Sequence, residues 1–368
     1  MRSPSPLAFG LGGVVLATTL AATAVPAHAQ ITRFVPCTGS NGGTSGLVQA
    51  ILDARSAGSG LIQLETGCTY TFTSSFAASN NALPVITGRI AITGKNAVIA
   101  RSANAASEFR IAQVAQNGFL SLTGVTIRGG SAANGGGIFN QGSLSLKFTT
   151  LTGNSAINGA GGGFAATGGS LTLLYRTTIS DNLATSGGGG STNGGTLRAI
   201  ATLFTGNTAV NGGALHLAGA SRLVGSVVAH NRALGLGGGI FNGGTLEIRD
   251  SKITRNITGI GGGLYVDQGR AELLRSHVTG NVARTTGGGI FNRATVELQK
   301  SKVTRNVPNN CAGPSAVPGC GTGTTAAATN VERPGGTAAG KASAQEAKRQ
   351  RPAARHAAQA RTAAASGR

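Results

Sequence analysis

The chain has 368 residues, of which 31 are lysine or arginine and only 11 are acidic, so its formal net charge is +20. The scarcity of carboxylates argues against enzymes that need clustered acidic side chains, and the excess of positive charge favours polyanionic partners.

Residues 1–29 have the features of a secretory signal peptide. Arg2 precedes an apolar stretch from Leu7 to about Val25, and "AHA" stands before Gln30, so we place cleavage after Ala29. A membrane anchor is the alternative, but the stretch is rich in Ala, Thr and Gly. No later segment is long enough to span a bilayer. The sequence therefore predicts a secreted protein, either extracellular or associated with the cell surface.

Residues 30–134 are predicted to form an N-terminal cap and the first coils of a solenoid. Cys37 and Cys68 flank "GLVQAILDAR" (46–55), which has the pattern of an amphipathic helix covering an open first coil. Four cysteines allow three pairings, and proximity in the chain favours Cys37 with Cys68 and Cys311 with Cys320. No histidine lies near either pair, so we predict structural disulfides and no metal site.

Residues 135–308 contain seven repeats of about 25 residues. "GGGIFN" occurs at 135–140, 237–242 and 287–292. The third residues of the related small-residue triplets are Gly137, Gly163, Gly189, Ala214, Gly239, Gly263 and Gly289. A second marker with the same period consists of Asn154, Asn182, Asn207, Asn231, Asn256, Asn281 and Asn306. Two markers with one period indicate a repeat architecture.

Each repeat contains three short apolar runs, and none contains apolar residues at the spacing of an amphipathic helix. Apolar residues occupy the positions three and eight before each marker asparagine, and "TLEIR" and "KIT" within "TLEIRDSKITRN" (245–256) alternate between apolar and polar residues. Three short strands per coil predict an all-β fold, a right-handed parallel β-helix with inward aliphatic columns. Glycine is expected where φ is positive or the backbone approaches its neighbour. Asparagine is expected at left-handed turns, with its amide hydrogen-bonded between coils.

The "GGGI-F-N … T-x-T/R-x-N" unit resembles the repeat of bacterial secreted β-helix proteins, including the polymorphic outer-membrane-protein type. Residues 67–102 are also similar to the first coils of pectin-lyase-like proteins. The resemblance covers about residues 33–311 and implies the fold more than an activity.

Residues 309–320 are predicted to be a C-terminal cap closed by Cys311 and Cys320. Residues 321–368 lack aliphatic periodicity and carry eight basic residues against two acidic ones. They predict a disordered basic tail. This tail is too short for the outer-membrane barrel of the polymorphic family.

Basic residues of the later repeats form candidate ligand-binding columns. Lys252, His277 and Lys302 share one repeat position, and Arg255 and Arg305 share another. We expect an anionic polysaccharide or cell-wall polymer as partner, and no nucleic-acid motif favours DNA or RNA. Alternatively, the charges only keep a glycine-rich solenoid soluble.

Glu247, Glu272 and Glu297 also share one position and are the only candidate catalytic column. A polysaccharide lyase or hydrolase would need carboxylates of this kind, and calcium could neutralise them. The alternative is that Arg249, Arg275 and Lys300 neutralise them, so that no cofactor is required.

An outward aromatic row is the remaining candidate for ligand binding. The residues that follow the inward position are Phe139, Ala165, Ser191, His216, Phe241, Tyr265 and Phe291. They could form a platform for sugar rings, or the rings could stack on one another and shield the sheet. Two functions follow: a non-catalytic β-helix that binds an anionic extracellular polymer, or an enzyme acting on acidic polysaccharide.

Overall fold

The computed structural model describes residues 30–321, which form a right-handed parallel β-helix of about 11 turns. The predicted all-β fold class is confirmed. The predicted signal peptide (1–29) and nearly all of the predicted tail (322–368) lie outside the described residues.

The N-terminal part contains the single helix expected from the sequence. Its elements in chain order are β1 (Ile31–Val35), α1 (Gly43–Ser56), β2 (Ser59–Leu64), β3 (Thr69–Phe72), a 3-10 turn (Phe76–Ala78), β4 (Arg89–Arg101), β5 (Ala112–Val114), β6 (Phe119–Arg128) and β7 (Ser131–Ala132). Apolar residues at helical spacing bury one face of α1, with Leu47 and Ile51 inside the core. The helix therefore covers the first coil, as predicted.

Each of the first six repeats contains four short strands, and the seventh contains three. They are β8 (Ile138–Asn140), β9 (Ser143–Lys147), β10 (Thr150–Thr152), β11 (Ser155–Ala156), β12 (Phe164–Ala166), β13 (Leu171–Tyr175), β14 (Thr178–Ser180), β15 (Leu183–Ala184), β16 (Ser191–Asn193), β17 (Thr196–Ile200), β18 (Leu203–Thr205), β19 (Thr208–Ala209), β20 (Leu215–Leu217), β21 (Ala220–Val224), β22 (Val227–Ala229), β23 (Arg232–Ala233), β24 (Ile240–Asn242), β25 (Thr245–Arg249), β26 (Lys252–Thr254), β27 (Ile257–Ile260), β28 (Leu264–Val266), β29 (Arg270–Leu274), β30 (His277–Thr279), β31 (Val282–Thr286), β32 (Ile290–Asn292), β33 (Thr295–Gln299) and β34 (Lys302–Thr304). The C-terminal cap adds β35 (Cys311–Ala312).

These strands form three parallel sheets. The predicted count of three strands per coil is corrected to four in the first six repeats, because one sheet contributes two strands to each coil. The second and third strands of every repeat belong to one 19-stranded sheet, called here the long sheet. First strands form a nine-stranded sheet with β5 and β35, and fourth strands form a seven-stranded sheet with β7. The long sheet carries two strands per coil because a residue with positive φ, such as Phe148 or Arg176, turns the chain between them.

The marker asparagines form a continuous buried ladder. From Asn154 to Asn306, each side-chain amide nitrogen donates to a backbone carbonyl of the preceding coil, and up to Asn281 it also donates to the next asparagine at 2.9–3.0 Å. The predicted bonding between coils is confirmed. The predicted left-handed conformation is wrong for these asparagines, because the positive φ lies one residue earlier, for example at Asp181 and Arg255.

In the third repeat, the inward position lies one residue later than the glycine spacing predicts. Ser191, rather than Gly190, pairs with Phe164 and Leu215 at the inward position. Four consecutive glycines at 187–190 conceal this offset in the sequence. The equivalent outward residue is therefore Thr192 rather than Ser191.

Both predicted disulfides are present. Cys37 is bonded to Cys68 beside α1, and Cys311 is bonded to Cys320 after the last repeat. Each bond fastens one end of the solenoid, where strand edges lack a neighbouring coil.

Candidate functional site

The basic columns lie on the outer surface of the last repeats. Lys252, His277 and Lys302 are neighbours in the long sheet, and all three are exposed. Arg255 and Arg305 are exposed at the next corner, where φ is 54° and 57°. Gly280 holds the equivalent corner position in the coil between them. The two columns therefore lie at the two ends of the third strands of repeats 5 to 7, which are β26, β30 and β34.

The glutamate column is neutralised by arginines, although not by all those expected. Glu247, Glu272 and Glu297 are neighbours in adjacent strands. Glu247 contacts both Arg222 and Arg249, so the expected role of Arg249 is confirmed. Arg270 bridges the other two, at 3.5 Å from Glu272 and 2.7 Å from Glu297.

The other two expected partners of the glutamates were assigned wrongly. Arg275 donates two hydrogen bonds to Asp250, at 2.7 and 2.9 Å, because the two residues occupy the same corner position in adjacent coils. This contact lowers the pKa of Asp250 below its usual value. Lys300 has no ion pair within residues 30–321.

Positive charge in the last repeats is therefore only partly compensated. Residues 222–306 contain twelve basic and five acidic side chains. All five acids are in ion pairs with arginine. Within the described part of the chain, seven exposed basic residues of this stretch have no ion-pair partner: Arg232, Lys252, Arg255, Arg284, Lys300, Lys302 and Arg305.

A metal site is not apparent in the geometry of residues 30–321. The one group of three potential ligands that converges there is Cys37, Glu65 and Cys68. Both of its thiols are joined in the disulfide, and the Glu65 carboxylate accepts a hydrogen bond from the Cys37 backbone N–H at 2.6 Å. This arrangement fastens the first coil.

The aromatic row is a stack rather than an open platform. His216, Phe241, Tyr265 and Phe291 stack nearly in parallel, with centroids 4.7, 5.4 and 5.1 Å apart. Tyr265 is only 4% exposed, so of the two predicted alternatives the structure agrees with rings that stack on one another and shield the sheet. Burial lowers the pKa of His216, which favours the neutral imidazole. The stack therefore presents ring edges along one side of the solenoid.

Phe139 stands apart from this stack. Ala165 and Thr192 occupy the two coils between it and His216. The Arg110 guanidinium lies over the Phe139 ring instead, 5.1 Å from its centroid.

An exposed apolar patch on the long sheet was not predicted from the sequence. Phe148, Leu173, Tyr175 and Ile200 are 53, 37, 38 and 45% exposed. We call these four residues the apolar patch. The signal was present in "LTLLYR" (171–176), where the outward Leu173 stands at a position that is charged in every later repeat.

Comparison with known proteins gives no assignment: no family model, curated protein or solved structure matches the chain. Within residues 30–321, no helix is long and apolar enough to cross a membrane. The two disulfides are compatible with an extracellular protein.

Proposed function

We propose that this chain is an exported, non-catalytic β-helix protein that binds an anionic polymer at a cell surface or in the extracellular space. The observation that carries the proposal is the set of seven exposed basic side chains in repeats 4 to 7 that have no ion-pair partner among residues 30–321. The repeat motif supports a place among bacterial secreted β-helix proteins, including pectin-lyase-like ones, as part of the same proposal.

The spacing of these charges suits a long ligand better than a small one. Adjacent coils lie about 4.8 Å apart, so charges on neighbouring coils fall within the Debye length of about 8 Å at physiological salt. Lys252, His277 and Lys302 follow one another along three such coils. A polymer with regularly spaced carboxylates or sulfates could contact several coils at once, with Arg255 and Arg305 at the adjacent corner.

The edges of the aromatic row are a second element of this proposal. His216, Phe241 and Phe291 are half-buried and offer ring edges on either side of the buried Tyr265. Phe139 offers a separate ring in the first repeat. These edges could contact the apolar faces of sugar rings, in addition to the charge contacts.

The enzyme alternative, a lyase or hydrolase of acidic polysaccharide, has weaker support. Catalysis by Glu247, Glu272 or Glu297 would need a carboxylate free to accept or donate a proton at the substrate. Each of the three contacts at least one arginine instead. We therefore assign no catalytic residue and no cofactor, and calcium remains part of the enzyme alternative only.

The test is binding of the full chain to polygalacturonate and to heparin across a salt series. Lys252→Gln combined with Lys302→Gln should weaken binding several-fold and reduce its salt dependence, because two charge contacts are lost. Lys95→Gln combined with Arg128→Gln removes the same charge from exposed positions of the first coils and is the matched control. Equal losses in both double variants would contradict a localised polymer site.

A product assay on the same polymers tests the alternative. Release of unsaturated or reducing ends that disappears in Glu272→Gln would replace the binding proposal with the enzyme.

A further inference from the structure

The apolar patch is an unusual feature for an outward sheet face. Tyr175 and Ile200 are partners in adjacent strands, and the ring of Phe148 packs edge-on against Tyr175 with centroids 5.6 Å apart. Leu173 lies two residues before Tyr175 on the same strand face. Four partly exposed apolar side chains thus adjoin one another across repeats 1 to 3, which marks an interaction surface rather than scattered exposure.

Basic side chains surround this patch. Lys147, Arg176 and Arg198 are all exposed at its margin. The Arg176 guanidinium lies 5.9 Å from the centroid of Phe148 and 5.5 Å from that of Tyr175. Between residues 135 and 221 the sequence has a single acid, Asp181. The surface therefore combines an apolar centre with a cationic rim.

This chemistry separates the candidate occupants. A second copy docked face to face would bring Lys147, Arg176 and Arg198 against the same groups of its partner, with Asp181 alone to offset them. A sugar polymer needs positioned polar groups that bond its hydroxyls, and the uncharged polar side chains beside the patch are short hydroxyls such as Thr178 and Thr196. Apolar side chains ringed by cations match a surface that is anionic outside and apolar within.

We propose that the long-sheet face around Phe148, Tyr175 and Ile200 docks peripherally on an anionic phospholipid surface. The apolar patch enters the headgroup boundary, and Lys147, Arg176 and Arg198 contact the phosphates. This site is separate from the basic columns of repeats 4 to 7 and does not depend on the polymer-binding proposal.

The first test measures binding of the full chain to vesicles of phosphatidylcholine with phosphatidylglycerol in equal parts, and to phosphatidylcholine alone. We expect binding only to the anionic vesicles. Phe148→Ser combined with Ile200→Ser should weaken it about tenfold or more, because apolar burial is lost. Leu234→Ser is the matched control, since Leu234 is 61% exposed but lies outside the patch.

The second test uses the absence of tryptophan from the chain. Phe148→Trp places a single tryptophan in the patch. Its emission, excited at a wavelength that tyrosine does not absorb, should shift to the blue on anionic vesicles and be quenched by brominated lipid. Leu234→Trp should show neither effect. Since both positions are exposed, these variants are expected to fold, and circular dichroism checks that they do.

Three outcomes would overturn the proposal. One is unchanged Phe148→Trp emission on vesicles that bind the protein. Another is a dimer in sedimentation that the Phe148→Ser, Ile200→Ser variant dissociates, which would make a second copy the occupant. The third is loss of polygalacturonate binding in that same variant, which would assign the patch to the polymer. Failure of the Lys252→Gln, Lys302→Gln test would leave the lipid proposal standing, so the two proposals can fail separately.

Discussion

Replacing Asn256 by alanine tests whether the asparagine ladder stabilises the solenoid. The side chain is fully buried and takes part in four hydrogen bonds. Its amide nitrogen donates to the Val228 carbonyl at 3.0 Å and to the Asn281 Oδ1 at 2.9 Å. Its own Oδ1 accepts from the backbone and side-chain nitrogens of Asn231, at 2.9 and 3.0 Å.

The expected cost follows from these contacts. At about 1 kcal/mol net for each hydrogen bond, four bonds contribute about 4 kcal/mol. The Asn231 side-chain nitrogen keeps its bonds to Phe204 and Ala229, whereas the Asn231 backbone N–H loses its side-chain acceptor. A buried donor without a partner adds a further penalty of about 1–2 kcal/mol. We therefore expect Asn256→Ala to lower the free energy of unfolding by about 5–6 kcal/mol.

The assay is urea unfolding followed by far-ultraviolet circular dichroism with both disulfides intact. Gln268→Ala, at an exposed position in the next repeat, is the control and should change stability by less than about 0.5 kcal/mol. Because a solenoid can unfold from one end, hydrogen exchange of Asn231 and Asn281 should report the same loss locally. A loss below about 1 kcal/mol for Asn256→Ala would mean that water replaces the amide, and the ladder argument would be refuted.

Ile253 is 1% exposed, so Ile253→Asp should lower the free energy of unfolding by about 3–5 kcal/mol. Thr254 points outward, so Thr254→Asp should lower it by about 0.5 kcal/mol. Equal losses in urea unfolding would contradict the assignment of Ile253 as inward and Thr254 as outward. The pKa of Asp250 is lowered chiefly by its hydrogen bonds from Arg275. The stability that these bonds contribute is therefore present above pH 3.8 and is lost as the pH falls through the lowered pKa. In Arg275→Gln, NMR titration should show the pKa of Asp250 returning toward 3.8. Burial lowers the pKa of His216, so acid should destabilise the aromatic row below pH 6.5. His216→Phe should remove the acid sensitivity that comes from protonation of His216. If the melting temperatures of the two proteins fall in parallel from pH 7.5 to 4.5, His216 does not contribute to the acid sensitivity.

Much of the fold could be predicted because every coil buries apolar side chains at the same positions of the repeat. The inward aliphatics three residues before each marker asparagine, such as Ile179 and Ile253, are buried as the alternation implied. The disulfides followed from proximity in the chain. Where side chains left the periodic positions, prediction became weaker: nothing in the pattern shows that Arg275 reaches Asp250 across a corner, or that Arg270 serves two glutamates.

The candidate sites were harder to predict because they depend on exposure. Tyr265 and Phe241 occupy equivalent positions, yet Tyr265 is buried while Phe241 is half-buried. Phe148 gave no periodic signal, since its corner position is filled by Arg176, Ala201 and Gly225 in the next three repeats. Periodicity identifies which way a side chain points, but the height of the neighbouring side chains decides how much of it solvent can reach.

The asparagine ladder also makes the length of the molecule adjustable. Asn231 and Asn256 are 25 residues apart and make equivalent contacts, so removing residues 232–256 would let Asn231 meet Asn281 in the role that Asn256 now fills. Such an excision would shorten the solenoid by one coil, about 4.8 Å, without altering either fastened end. It would also remove Lys252 and Arg255 and bring His277 and Lys302 closer to the apolar patch by one coil. The coil is thus a unit of distance, and the number of coils sets how far apart the two proposed binding surfaces lie.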